Sequence, residues 1–122
     1  HAALACFAPD TLALYERRRE EFRQRRDYFV PALQALGFEV PVTPDGAFYV
    51  WADCTRPMQR LGINNSWDFA FAVMEKAHIV VTPGRDFGQN DTSRFVRFST
   101  ANSLDQLRTS IHRLQALLAS DA

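Results

Sequence analysis

The feature that most constrains the fold of this chain is a helical pattern that fills most of its first third. From Asp10 to Gly37 the apolar residues recur at intervals of three and four, which places them along one face of a helix. Asp10 is predicted to cap the start of this helix and Gly37 to end it. Pro31 removes a backbone donor and disfavours helical geometry at the residue before it, so we expect a kink or a restart there. The apolar positions are Leu12, Tyr15, Phe22, Phe29, Leu33 and Leu36, and the same register passes through Arg19 and Arg26.

The segment after this helix predicts two extended runs joined by a turn. Pro44, Asp45 and Gly46 form the turn signal, in which Pro44 presets its backbone angle and Gly46 accepts a positive φ. The second run, which includes Tyr49 and Trp51, is apolar on both faces, so we expect it to be covered on both sides. The stretch "CTRPMQRLGINNS" that follows is predicted to be a loop.

Two more helices and two more strands complete the pattern. A helix is expected from Asn65 or Ser66 to about Ala77, and "HIVVTPG" is expected to be a short buried strand. After the loop "RDFGQNDTS", the segment "FVRFST" at residues 95–100 is predicted to be a strand. Ser103 and Gln106 have the spacing of a capping box, which starts the last helix.

The order α-β-β-α-β-β-α predicts an α+β fold, in which helices pack on a small, mainly antiparallel sheet. A length of 122 residues suits about one domain. We therefore expect a single domain over residues 1–122, with the long helix at residues 1–36 and a compact α+β part at residues 37–122.

Composition excludes several classes of function. Fourteen basic and fourteen acidic residues give a formal charge of zero, so no long-range field attracts nucleic acid or an anionic membrane. No apolar run approaches the roughly 20 residues needed to span a bilayer. Cys6 and Cys54 are far apart and form no CxxC or metal-spaced set, which suits reduced thiols. We expect a cytoplasmic protein with neither nucleic-acid nor membrane partners.

The sequence also lacks the common signatures of metal and hydrolytic sites. His1, His78 and His112 lie apart, and no HExxH motif, His/Cys cluster or GxSxG elbow is present. The stretch "PGRDFG" carries Gly84 and Gly88 but matches neither a dinucleotide-binding motif nor a phosphate-binding loop. We predict that it is a turn between two strands, and we predict no metal site.

Arg97 is the candidate site residue, because it lies at the centre of a segment that otherwise has the pattern of a buried strand. In a strand Arg97 shares one face with Phe95 and Ser99, while Val96 and Phe98 take the other. An unpaired guanidinium taken out of water costs several kcal/mol. Arg97 therefore needs either solvent or an anion.

Three interpretations of Arg97 stay open from the residues alone. In the first, the segment is an edge strand and Arg97 reaches water along its alkyl stem. In the second, Arg97 is a planar, bidentate receptor for a carboxylate. In the third, Phe95-Val96-Arg97-Phe98 is the F-V-x-F tail of an RNA-recognition signature, although residues 91–94 do not match the head of that signature.

Four motifs follow one another along nearly the whole chain. They are "RREEFRQRRDYF" with its Arg25-Arg26-Asp27 segment, the P-x-G-A-F-Y pattern of "PDGAFY", the stretch "HIVVTPGRDFG", which is similar to V-x-x-x-P-G-x-x-F-G, and the V-R-x-S-x-A pattern of "VRFSTA". In this order and spacing they resemble the C-terminal small domain of class I/II, fold-type I, pyridoxal-phosphate-dependent aminotransferases, of the aspartate aminotransferase type.

The resemblance implies a function for the whole protein, which is to move an amino group between an amino acid and a 2-oxo acid with pyridoxal 5'-phosphate as cofactor. It implies that Arg97 binds the substrate α-carboxylate through two parallel hydrogen bonds. It also implies that the "PGRDFG" loop lies near the entrance to the active site, where Phe87 is a candidate wall of the substrate pocket. A homodimer is expected from the family.

The resemblance further implies that the cofactor is bound outside this chain. The family's Schiff-base lysine and its cofactor-binding residues belong to a large domain, and the only lysine here, Lys76, matches no such motif. We therefore expect no catalytic, cofactor-binding or metal-binding residue in residues 1–122, and no activity from this chain alone.

Two alternatives share the same resemblance. A lyase or a carbon–carbon bond-forming synthase on this fold would use Arg97 in the same way, and product analysis of the whole protein separates these from a transaminase. The aminotransferase-like sensor domain of a transcription regulator would bind a ligand without turning it over. A winged helix-turn-helix upstream would indicate the regulator.

Overall fold

The structure is a computed structural model that describes residues 1–120, so the last two positions of the predicted domain lie outside the described residues. The predicted α+β fold is confirmed. Two 3-10 turns, Gly84–Phe87 and Thr92–Arg94, connect the second strand to the third. The helices are α1 (Ala2–Ala5), α2 (Pro9–Ala35), α3 (Thr55–Arg60), α4 (Ser66–Ala77) and α5 (Leu104–Ser120), and the strands are β1 (Tyr49–Asp53), β2 (Thr82–Pro83) and β3 (Phe95–Ser99).

The sheet has three antiparallel strands in the order β1-β3-β2, so β3 is central. Arg97 lies opposite Trp51 of β1 on one side and opposite Thr82 of β2 on the other. The first of the predicted extended runs does not form a strand and makes only one isolated bridge, between Glu39 and Asp53. The prolines that follow in this run have no N–H to donate to a ladder, which explains why the pairing stops.

One apolar core fills the space between the helices and the inner face of the sheet, which we define as Val50, Ala52, Val96 and Phe98. The ring of Phe38 meets those of Phe98 and Phe69 edge-on, with centroid distances of 5.4 and 6.1 Å. Helices α2, α4 and α5 contribute the remaining large core residues, Phe29, Leu33, Phe69, Val73, Leu107, Ile111, Leu114 and Leu118. Because the core takes only this face of the sheet, the other face is available for a site.

Helix α2 differs from its prediction at the start and agrees with it at the end. It begins two residues early, with Ala8 instead of Asp10 as the N-cap and Pro9 in the first turn, because the fixed φ of proline suits that position. The helix runs through Pro31 without interruption, so no restart occurs there, and a kink stays a prediction. Gly37 has a φ of +98° and Phe38 donates its N–H to the Leu33 carbonyl at 3.2 Å, the two marks of a helix-ending glycine motif.

The turn before β1 also differs in detail. Gly46 does not adopt a positive φ; the left-handed residue is Ala47, with a φ of 59°. Arg26 of α2 donates to the Pro44 carbonyl at 3.2 Å and so ties this turn to the long helix. Strand β1 is covered on one side only, since Val50 is 1% exposed whereas Tyr49 is 40% exposed.

The caps of the last two long helices agree with their predictions. The Asn65 side chain accepts the backbone N–H of Asp68 at 2.9 Å, and Ser103 and Gln106 make reciprocal bonds of 3.3 and 3.4 Å. The predicted loop after β1 contains α3, whose first-turn N–H at Thr55 is accepted by the buried carboxylate of Asp53 at 2.8 Å. A side-chain cap two residues upstream thus starts a helix that the loop-like composition conceals.

Candidate anion-binding site on the outer face of the sheet

The face of the sheet opposite the core carries Tyr49, Trp51, Phe95 and Arg97, and we call it the outer face. Side chains alternate along a strand, so burying Val96 and Phe98 turns Arg97 to this side. The register then places Arg97 beside Trp51 of the neighbouring strand. The edge strand of the first interpretation is wrong, because β3 is paired on both sides, whereas the access of Arg97 to water agrees with the structure.

The guanidinium of Arg97 is held by aromatic rings. Its central carbon lies 3.9 Å from the centroid of the Tyr49 ring and 4.6 Å from that of Phe87. Within residues 1–120 no hydrogen bond or ion pair joins this guanidinium to a protein acceptor, and no buried side-chain nitrogen lacks a partner. Its N–H groups therefore face solvent and are available to an anion.

Arg94, three residues before Arg97, differs from it because its guanidinium has carboxylate partners within the protein. It forms ion pairs with Asp53, which is only 5% exposed, and with Asp91 at 2.8 Å. Asp53 also accepts the hydroxyl of Thr55 at 2.6 Å. Because its charge is already matched by two carboxylates, Arg94 is a structural residue and Arg97 is the arginine open to a ligand.

Phe87 reaches Arg97 from the first 3-10 turn, which is held tightly against the turn after it. A Cβ on Gly84 would lie 2.2 Å from the Thr92 carbonyl oxygen and 2.8 Å from that of Phe95, so only glycine fits. The Phe87 ring meets the Trp51 indole edge-on at 5.7 Å. The prediction that "PGRDFG" forms a turn between two strands is confirmed.

The remaining candidate groups are not brought together. His78 ends α4 in the left-handed conformation and His112 is exposed on α5, and the described residues contain no group of metal-ligating side chains. Lys76 is exposed at the end of α4 and lines a shallow cavity with His78 and Arg113, whereas the outer face contributes nothing to that cavity. None of the helices in residues 1–120 is both long and apolar enough to cross a membrane.

The sequence reasoning identified Arg97 but missed the role of Tyr49. The alternation of β1 put Tyr49 and Trp51 on one face, yet the register between β1 and β3 was needed to bring that face to Arg97. The third interpretation, RNA recognition, fails on burial, because Phe95, the aromatic residue that shares a face with Arg97, is 9% exposed and its ring already stacks on Trp51 at 5.1 Å, so it cannot stack on a base.

The structure is a small α+β domain in which Arg97 lies on the outer face of the sheet without a protein acceptor among residues 1–120. The sequence profile of the aminotransferase class I and II family matches residues 1–114. An aspartate aminotransferase from Pinus pinaster is 39% identical over 103 residues, which cover 80% of this chain and 20% of that protein. An aspartate aminotransferase from Geobacillus stearothermophilus is 30% identical over 122 residues, which cover 100% of this chain and 30% of that protein.

A solved structure agrees with the sequence matches. The crystal structure of an aminotransferase from Mycobacterium tuberculosis superposes with a TM-score of 0.87 at 26% identity, over 98% of this chain and 30% of that one. The chain therefore belongs to the aminotransferase class I and II family. It spans between a fifth and a third of the length of the relatives described here.

Proposed function

We propose that this chain is the small domain of a pyridoxal-phosphate-dependent aminotransferase, in which Arg97 binds the α-carboxylate of an amino acid or a 2-oxo acid. The observation that carries the proposal is the environment of the Arg97 guanidinium. It contacts two aromatic rings and has no protein acceptor in the described part of the chain. A guanidinium in this state is suited to a planar, two-oxygen anion, because two of its N–H groups can donate in parallel. Membership of the aminotransferase class I and II family supports the same substrate class.

Arg97 acts by positioning. Each charge-assisted hydrogen bond to the carboxylate contributes about 1.5–3 kcal/mol, and two parallel bonds also fix the direction of the bond from the carboxylate to Cα. Since the central strand β3 holds the arginine, the substrate Cα is held at a fixed place relative to the rest of the active site. The side chain forms no covalent bond in this role.

The one lysine of this chain is poorly placed to hold the cofactor. Pyridoxal 5'-phosphate supplies an electron sink when it is bound, and it needs a lysine amine close to the substrate. Lys76, the chain's lysine, is exposed at the end of α4 and lies outside the outer face. We therefore place the cofactor-binding residues outside this chain, derive no step through the cofactor, and propose that this chain is inactive alone. A cytoplasmic homodimer belongs to the same proposal.

The test is a set of arginine variants in the full-length protein. Arg97→Leu should lower kcat/KM for amino acids by more than tenfold, about 1.4 kcal/mol, because both hydrogen bonds are lost. Arg97→Lys should lie between Leu and wild type, because an ammonium cannot donate in two parallel, coplanar bonds. The matched control is Arg108→Leu, since Arg108 also stands over a tyrosine ring, that of Tyr28 at 5.6 Å, but lies on α5.

The control variant should keep the wild-type rate, and the 122-residue chain should show no turnover in the same assay. A decrease of less than tenfold for Arg97→Leu would contradict the carboxylate role. Analysis of the products separates a transaminase, which forms a new amino acid and a new 2-oxo acid, from a lyase or a synthase on the same fold.

A further inference from the structure

We propose that Tyr49 and Phe87 are positioning residues for Arg97, and that their rings hold the guanidinium from two sides so that its N–H edge is presented to the carboxylate. We call this pair of rings the aromatic clamp. The inference rests on the proposed function of Arg97, and it adds two residues that touch the arginine and set its geometry.

The two rings of the clamp come from segments on opposite flanks of the central strand β3. Because β3 is central, Arg97 has β1 on one flank and β2 on the other. Tyr49 belongs to β1, whereas Phe87 belongs to the 3-10 turn that follows β2 directly. Among residues 1–120 the two rings make no ring contact with each other; Tyr49 contacts Phe48 and Phe87 contacts Trp51. The two rings therefore reach the guanidinium from two separate segments of the chain.

The clamp restricts Arg97 to the orientation that a carboxylate needs. A free arginine side chain has many rotamers, and a ligand that binds it must select one of them at an entropic cost. The ring centroids lie 3.9 and 4.6 Å from the guanidinium carbon, and no acceptor within residues 1–120 takes its N–H groups, so these groups stay open to a ligand. A planar anion then meets donors that are already aligned, without an ion pair to break first.

Each ring is itself held by neighbouring groups, so the clamp is part of the fold. The Tyr49 ring packs on Phe48 with centroids 4.4 Å apart. Phe87 is held by the Trp51 indole, and Trp51 in turn stacks on Phe95 at 5.1 Å with planes only 7° apart. At the other end of the Phe87 turn, the guanidinium of Arg85 stands 3.2 Å from the centroid of Trp67. These contacts fix the rings before any ligand arrives.

The clamp can be tested without destroying the fold, because both rings are partly exposed. Tyr49 is 40% and Phe87 47% exposed, and Phe71 of α4, at 44%, offers a matched control outside the outer face. In the full-length protein, Tyr49→Leu and Phe87→Leu should each raise KM by at least about threefold and change kcat by less than about twofold. Tyr49→Phe and Phe87→Tyr should restore wild-type values, because the ring is kept. Phe71→Leu should have no effect on either constant.

A second measurement observes the Arg97 side chain directly and does not depend on enzymatic activity. In NMR spectra of the 122-residue chain, the Nε–H proton of Arg97 should be shifted upfield by the ring currents of Tyr49 and Phe87. The shift should shrink in each leucine variant and persist in the phenylalanine and tyrosine replacements. Phe71→Leu should leave this signal in place.

The outcomes separate the clamp from the proposed function. If Arg97→Leu is impaired while both leucine variants keep the wild-type KM, the clamp is wrong and the carboxylate role stands. If the leucine variants raise KM but the Arg97 signal does not move, the rings act on something other than the arginine and the clamp is again wrong. If Arg97→Leu has normal activity, the proposed function is wrong. If, in addition, the Arg97 NMR signal is unchanged in Tyr49→Leu and Phe87→Leu, the clamp is wrong as well.

Discussion

At the scale of single residues, the environment decides what the same side chain can do. Arg94 and Arg97 lie three positions apart, and both carry a guanidinium next to an aromatic ring. Arg94 is neutralised by the buried Asp53 and by Asp91, whereas among residues 1–120 the guanidinium of Arg97 has two ring contacts and no carboxylate partner. Arg94 therefore stabilises the fold next to the first residue of β3. Arg97 leaves a positive charge without a carboxylate partner on the outer face, and in the proposed function a ligand neutralises it.

Cys54 gives a prediction at the same scale. Its thiol is buried, donates to the Arg94 carbonyl at 3.0 Å, and has its pKa raised by burial from the ordinary 9.0 to about 12. Cys6 is exposed. A thiol reagent at mildly alkaline pH should therefore modify Cys6 quickly and Cys54 only as the chain unfolds, which mass spectrometry of the labelled peptides measures. Fast labelling in a Cys6→Ser variant would contradict the burial of Cys54.

The raised pKa of Cys54 also fixes the sign of a pH effect. Because the folded-state pKa lies above the unfolded-state one, the contribution is fully present below about pH 9 and is lost as the pH rises toward 12. By about pH 10 the free energy of unfolding should fall by about 1.4 kcal/mol through this group. Denaturant unfolding of wild type and Cys54→Ala measures it, and the alanine variant should lose less stability over the same range.

At the scale of elements, the turn Gly84–Phe87 links the sheet to the site. Gly84→Ala should reduce the free energy of unfolding by about 1–3 kcal/mol, since the new Cβ would overlap two backbone carbonyl oxygens. The matched control is Gly46→Ala, because Gly46 has open space around its Cα and no positive φ. Equal stability of the two variants in denaturant unfolding would show that the close approach at Gly84 is absent in solution.

The elements also show which features a sequence can predict. The caps of α4 and α5 and the glycine end of α2 depend on residues within five positions of each other, and all three were predicted. The start of α3 and the left-handed Ala47 were missed. The bond from the Thr55 N–H to the Asp53 carboxylate is local but lies in a stretch of loop-like composition, and Gly46 was the better local candidate for a positive φ. Local patterns thus determine most helix ends here, and they did not determine which residue of the turn is left-handed.

The residues of the candidate site also divide into one that a local pattern predicts and two that only the strand pairing brings to it. Arg97 was predicted from one segment, because a charge in an apolar strand needs an explanation wherever the strand lies. Tyr49 and Phe87 meet Arg97 only through the order β1-β3-β2, in which β1 and β3 pair across more than 40 residues of sequence and β2 and β3 across 13 to 15. No local pattern in "GAFYVWAD" indicates that its tyrosine will contact an arginine in "FVRFST".

At the scale of the whole molecule, the chain combines one core with a long, unevenly buried helix. The last part of α2 buries Phe29 and Leu33, whereas Leu12 and Tyr15 in its first half are 45% and 41% exposed. The core therefore supports the sheet, and the sheet carries Arg97 on its outer face. A domain of this kind supplies a rigid binding group and, in the proposed function, leaves the chemistry to residues beyond this chain.

The most direct measurement compares two substrates of the full-length protein, an amino acid and the matched amine that lacks the α-carboxylate. Wild type should prefer the amino acid in kcat/KM by about a hundredfold or more, since two charge-assisted bonds are made only with the carboxylate. In Arg97→Leu this preference should fall at least about tenfold, because the variant has no group that distinguishes the two substrates at this position. An unchanged preference in Arg97→Leu would contradict the assignment of Arg97 as the carboxylate receptor.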